Sequence, residues 1–196
     1  MLRETCLTLG TVLLTGGCMK PPMDMGPPKK PSPPVEMKKL EKMSGTWNWT
    51  GEMVCPSKEE MMKHMPPGSK EPQMNFAGTG KAEMVLGGTA LRSTGTFDMG
   101  EGQKMTYEEY AWWDAKAGKY RTWSISDWGE VGSGWMTACG DCDGFCSKAD
   151  AIDAQGNKKR FEGCMKFLDK DTHEWSFTEF AAMGKMTMKG TSKRQK

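Results

Sequence analysis

The sequence predicts an all-β protein, a single antiparallel up-and-down β-barrel of about ten strands with a short N-terminal helix. Three observations carry this expectation. Segments that alternate apolar and polar residues recur along the chain, with turn residues between them. No helical crossover interrupts them, which argues against a parallel sheet. One stretch, Phe76–Met99, reads in full as a hairpin folded at Gly87-Gly88, a pair suited to the primed turns that match strand twist. That turn sets Val85 opposite Ala90 and Glu83 opposite Arg92. It puts Met84, Leu91, Gly80, Gly95 and Phe97 on one face, and Glu83, Arg92, Lys81 and Thr94 on the other. One face is apolar and small, and the other is wet with a cross-strand ion pair.

In chain order, Val35–Met43 predicts a helix, because Met37, Leu40 and Met43 recur at helical spacing before Ser44-Gly45. Gly45–Val54 is the first strand, with Trp47 and Trp49 on one side. A short helix leading into Gly-x-Trp is how lipocalin-like barrels often begin. Cys55–Pro72 is a proline-containing loop near one barrel mouth, in which Ser57 caps a helix over Lys58–Met65. After the Phe76–Met99 hairpin, Lys104–Asp114 and Lys119–Trp128 pair about Ala115–Gly118. This sets Tyr110 against Trp123 and Trp112 against Arg121, an arginine over an indole. Val131–Cys139, Phe145–Ile152, Lys158–Leu168, His173–Phe180 and Lys185–Lys193 complete the set. Closing the sheet removes its two edges.

The N-terminus reads as an export segment. Residues 1–17 form a signal peptide with the short apolar run Leu7–Leu14, too short for a stable membrane span. Small residues before Cys18 resemble a bacterial lipoprotein signal, with Cys18 as the lipidated residue. Residues 18–34 are a proline-rich tether, and 35–196 form the barrel domain. Met19 rather than Asp follows Cys18, which favours the outer membrane facing the periplasm. A formal charge of +2 is too small to imply a nucleic-acid partner. The basic end Lys189–Lys196 reads as a solvated tail.

LEKMSGTWNWTGEM, MVLGGTALRSTGTF and YAWWDAKAGKYRTWSISDWG resemble the uncharacterised DUF1579 family over roughly residues 36 to 190. Its members are small bacterial proteins, often envelope-associated. The resemblance implies a lipocalin- or nitrobindin-like barrel and carries over no catalytic residue. The Cys55–Pro72 loop and the cysteine cluster depart from the family pattern.

Disulfides are the default for cysteines in an exported chain. A turn around Gln155 sets Cys146 opposite Cys164, the first candidate bridge, with Cys55 to Cys139 or Cys142 as a second. A metal site on Cys139, Cys142, Cys146 and Cys164 is the competing reading, from the two- and three-residue gaps. A redox pair Cys139–Cys142 is another, although no helix N-terminus lowers a thiol pKa there. Met61, Met62, His64 and Met65, with Met23, Met25, Met186 and Met188, suggest Cu(I), against methionine as apolar filler. His64 and His173 are the only histidines for a haem, and His173 reads as a surface residue. Glu108 and Glu109 point to opposite faces of a strand and so do not act as a carboxylate pair. The eight tryptophans read mainly as core.

The sequence thus points to a monomeric envelope lipoprotein, not an enzyme. It has no cofactor, a membrane anchor at its N-terminus, and a small, partly apolar ligand inside the barrel. A soft-metal (copper or zinc) or redox protein is the first alternative, and a structural or partner-binding envelope module is the second.

Overall fold

The computed structural model describes residues 32–64, 74–100, 102–181 and 184–196. The signal segment, Cys18, most of the tether, and Met23, Met25 and Met65 lie outside the described residues, as do the side chains of Cys55, Met61 and His64. No helix among the described residues is long and apolar enough to cross a membrane.

The chain forms a closed barrel of ten antiparallel strands. These are β1 (Gly45–Cys55), β2 (Asn75–Val85), β3 (Ala90–Gly100), β4 (Gln103–Asp114), β5 (Lys119–Ser126), β6 (Val131–Ala138), β7 (Gly144–Ile152), β8 (Lys158–Phe167), β9 (Thr172–Ala181) and β10 (Gly184–Arg194). Each strand pairs with its sequence neighbours, and β1 closes on β10, with Trp49 opposite Ser192. The meander leaves no free edge.

The hairpin at Gly87-Gly88 has the expected register, with Val85 opposite Ala90 and Glu83 opposite Arg92. Both glycines have φ above zero, 69° and 89°, and Leu86 before them is left-handed too, so the paired strands are joined by a four-residue loop, residues 86–89. Its small inner face has a packing reason. The Trp49 indole lies over Gly80 and Gly95, where an added Cβ would come within 2.5 Å of the ring. The glycines form a slot for one tryptophan. Trp175 is housed in the same way, since a Cβ at Gly51 would lie 2.6 Å from it.

The two ends of the barrel differ. At the end where β1 starts, α1 (Met37–Leu40) and a 3-10 turn (Glu41–Met43) form a plug. Met37 and Leu40 are fully buried in one cluster with Trp47, Leu91, Tyr120 and Phe145. The Tyr120 hydroxyl donates to the Glu36 carbonyl at 2.8 Å, tying the plug to the wall. Arg194 holds the same end. Its guanidinium donates to the Ser44, Lys42 and Lys170 carbonyls and lies 4.2 Å from the Trp47 ring centre. The basic C-terminal segment is therefore strand as far as Arg194, and the expected solvated tail is corrected. Alternation carries Arg194 to the inner rim, where backbone carbonyls and an indole receive its charge.

At the opposite end, β1 finishes and β2 begins, so the connection between them leaves and rejoins the barrel at the second mouth. It opens with α2 (Lys58–His64), capped as expected. The Glu60 N–H donates to Ser57 Oγ, and the Ser57 N–H donates to the Glu60 carboxylate.

Four of the eight tryptophans point inward, Trp47, Trp49, Trp113 and Trp175. The strand phase puts Trp112, Trp123 and Trp135 on the outer wall, and Trp128 lies in the β5–β6 turn. The expectation that they mainly fill the core is corrected accordingly. Arg121 also departs from expectation. Its guanidinium lies 4.4 Å from the Trp135 ring centre and bonds Asp114 at 2.9 Å, instead of covering Trp112. Both indoles are cross-strand neighbours of Arg121, and the Asp114 contact accompanies the position over Trp135.

Candidate functional site

Inward alternation from nine of the ten strands, all but β5, surrounds a cavity of about 260 Å³ below the plug. Its walls are largely aromatic. Trp49 packs against Phe97 at 5.2 Å and Tyr107 at 6.3 Å between ring centres, and Trp175 stacks on Phe177 at 5.9 Å. The tryptophans and methionines therefore do not fill the interior. A second cavity of about 560 Å³ occupies the open mouth and shares Phe97 and Phe177 with the first. At this mouth Lys159 is held between Glu130 at 2.8 Å and Glu179 at 3.4 Å. A wider concavity of about 1020 Å³ lies on the wet outer wall, among groups such as Glu52, Lys166, Glu174 and Lys189.

Three features give the inner cavity chemistry. Glu109 points into it from β4, between its inward register partners Ser93 and Ser124. Among the described residues nothing pairs with its carboxyl, and burial alone raises its pKa to about 7. Glu108, its neighbour, faces outward to Arg92 at 2.8 Å and the Tyr110 hydroxyl at 2.6 Å. The two carboxylates thus face apart, as strand geometry requires. His173 enters from β9 against the edge of Trp47, 4.7 Å between ring centres, and its Nδ1 has no partner among the described residues. Its pKa is lowered to about 4, first by burial and then by the Arg194 charge. The third feature is Trp49 Nε1, a buried donor that is also unpartnered. Such groups are costly in an apolar interior unless something meets them.

The surface position expected for His173 is corrected. It starts a strand, as read, but shares the phase of Trp175 and Phe177 and so faces inward. Glu109 escaped sequence reading as a site residue. The available signal was a carboxylate in phase with Tyr107, Ala111 and Trp113.

The titrations of these two groups act on stability with opposite signs. Between pH 4.5 and 7 the unfolded chain has released the Glu109 proton while the folded chain holds it, so stability falls as pH rises. Between pH 4 and 6.5 the unfolded chain protonates His173 and the folded chain does not, so stability rises. In the wild type the two slopes offset where the windows overlap. Glu109→Gln should leave a rise of about 2 kcal/mol across the His173 window, and His173→Gln a fall of similar size across the Glu109 window. Urea unfolding at half-unit pH steps checks this, and slopes of the same sign in both variants would contradict it.

The cysteines form two disulfides, Cys146–Cys164 between register partners of β7 and β8, and Cys139–Cys142 in the β6–β7 loop. The expected bridge from Cys55 to Cys139 or Cys142 is corrected, because these two, with Cα atoms 5.3 Å apart, bond each other. The four-thiolate metal set on Cys139, Cys142, Cys146 and Cys164 is corrected for the same reason: all four sulfurs are used in S–S bonds. Cys139, Asp141 and Cys142 cluster, but two of those ligand atoms belong to one disulfide. Met188 is buried, and with Met186 it lines the wall of the open mouth beside Phe76 and Phe177.

No family model matches the chain, and no curated protein matches it. Solved structures do. The S-type phycobiliprotein lyase CPES from Guillardia theta superposes with a TM-score of 0.54 at 12% identity, covering 81% of this chain and 92% of its own. A de novo designed fluorescence-activating β-barrel gives 0.41 at 13% identity over 79% and 95%. The barrel EF1p2_mFAP2b bound to DFHBI gives 0.43 at 9% over 81% and 98%. At these identities the likeness to the lyase concerns the fold alone, and the other two barrels superpose less closely.

Proposed function

We propose that this chain is a non-enzymatic envelope lipoprotein of DUF1579-like type that binds one small, partly apolar molecule inside its barrel. The observation that carries the reading is the inner cavity, walled by rings and supplied with a few inward polar groups that the fold leaves unpartnered. Ligand sites are built in this way. The plug at one end and the wider second mouth make the mouth with Lys159 the route of entry. Cys18 carries the lipid, the proline-rich tether spaces the barrel from the membrane, and the protein acts as a monomer.

Native mass spectrometry of the protein as isolated from bacterial envelopes tests this. The expected species carries lipid on Cys18, lacks four hydrogens for two disulfides, and releases a small non-covalent molecule on activation. A chain that emerges without any such molecule overturns the binding reading, and one without lipid overturns the anchor.

A second reading, an envelope contact module, has one observation in its favour. Ile125, Val131 and Ile152 are consecutive cross-strand neighbours, all exposed on the outer wall beside Trp123. On that reading, an Ile125→Lys, Ile152→Lys variant of a Cys18→Ala chain loses its envelope association. On the ligand reading its behaviour is unchanged.

A further inference from the structure

The inner cavity combines an unpaired carboxyl with aromatic faces, and this combination selects a class of ligand. We infer that the barrel takes an organic cation, a small amine or nitrogen heterocycle, with its charged head on Glu109 and its apolar body against Trp49, Phe97 and Tyr107. The inference rests on the ligand-binding reading above and adds the charge of the ligand.

Glu109 is surrounded by neutral groups on its own strand and on the two strands beside it. On β4 its inward neighbours are Tyr107 and Ala111. From β3 and β5 it meets Ser93 and Ser124, both neutral. Across the cavity stand Ser147 on β7, Ser192 on β10 and His173 on β9. Of these only His173 could bring a positive charge, and its pKa near 4 leaves it neutral above about pH 5. The basic groups nearest the site are committed elsewhere. Lys81 faces outward to Glu83 at 2.6 Å, Lys159 is held by two glutamates at the mouth, and Arg194 pairs with Asp171 at 3.2 Å. Among the described residues the interior therefore contains a carboxyl without a counter-charge.

The walls agree with this assignment. Rings attract cations through their faces, and more strongly when water is excluded. Phe97 and Tyr107, with ring centres 5.5 Å apart, continue the ring surface that begins at Trp49. Among the described residues no cation projects inward here, since Lys81 borders the cavity with its ammonium turned outward to Glu83, so an anionic ligand would meet a carboxyl instead. A neutral ligand would leave the carboxyl unpaired or bonded to it as the protonated acid. A cation is the one class that compensates Glu109 ionised, and its arrival displaces the carboxyl proton to solvent when Glu109 is protonated beforehand.

The test titrates the full chain with 2-phenylethylamine, 2-phenylethanol and 3-phenylpropionate, three ligands of similar size and different charge. Binding is read from tryptophan fluorescence. At pH 8 the amine should bind about tenfold or more tightly than the alcohol. Its affinity should rise severalfold from pH 6 to pH 8 while that of the alcohol stays flat. Glu109→Gln should erase the preference for the amine over the alcohol and the pH dependence of amine binding. The pH series on the wild type stands independently of how well that variant folds. Equal binding of amine and alcohol, or tightest binding of the carboxylate, overturns the cation and leaves the cavity reading intact. Failure of all three ligands to bind overturns both.

Discussion

Replacing Trp49 by alanine is expected to destabilise the barrel by about 3–5 kcal/mol, a fall in melting temperature of roughly 10 °C or more. The reason lies in three elements at once. Trp49 is buried at 8% exposure, it rests in the slot left by Gly80 and Gly95, and its ring anchors the Phe97–Tyr107 face of the cavity. Filling the slot from the other side should have a related effect. Gly80→Val forces atoms into a space where even a Cβ would lie 2.5 Å from the indole, and overpacking of that kind costs about 1–3 kcal/mol or more. Gly140→Ala is the matched control. Nothing lies within 4 Å of its added Cβ and its φ is not positive, so its stability should stay within about 0.5 kcal/mol of the wild type. Urea midpoints for the three variants check the ranking. A Gly80→Val protein as stable as the control would remove the slot from the account.

The second large effect belongs to the disulfides, and their sizes should differ. Cys146 and Cys164 are 18 residues apart in sequence, whereas Cys139 and Cys142 are 3 apart. In the chain-entropy account the longer loop contributes about 3 kcal/mol and the shorter one about 2 or less. Strand phase turns the Cys146–Cys164 bridge to the outer wall, although Cys164 borders the inner cavity, and the other bridge lies in a loop. The variant Cys146→Ser, Cys164→Ser should therefore lose stability and keep its ligand affinity. Denaturant unfolding, with and without reductant, measures the first, and a binding titration measures the second. Equal losses from the two double-serine variants would show that loop length does not govern the difference.

Much of this architecture was legible from residues because its signals are local. Period-two alternation and Gly-rich turns place the ten strands within a residue or two, and the Gly87-Gly88 turn fixes a register that the structure keeps. The Cys146–Cys164 pairing follows from the turn around Gln155 by counting outward along two strands. The candidate site was less legible, for a physical reason. Alternation says that neighbours face apart but does not say which phase is inner. Trp112 and Trp113 are adjacent and both aromatic, so composition alone could not assign that phase. Glu109 shares the phase of Trp113, and a charged residue at an inner position runs against the pattern that the reading relied on. His173 was hidden in the same way by its place at a strand start. Arg194 was read as tail because its partners are backbone carbonyls from segments about 150 and 24 residues away, which no local pattern reveals.

The central claim is that the barrel interior is a binding cavity, and a titration with 1-aminoanthracene tests it most directly. The dye is apolar, brightens when it leaves water, and is small enough for the space between the plug and the open mouth. The full chain should take up one dye per chain with saturation. Ser147→Leu, which puts a bulky group into the cavity wall, should lower the affinity about tenfold or more while the far-ultraviolet circular dichroism stays that of the wild type. Undiminished dye binding by the folded Ser147→Leu chain, or no binding by the wild type, would contradict the claim.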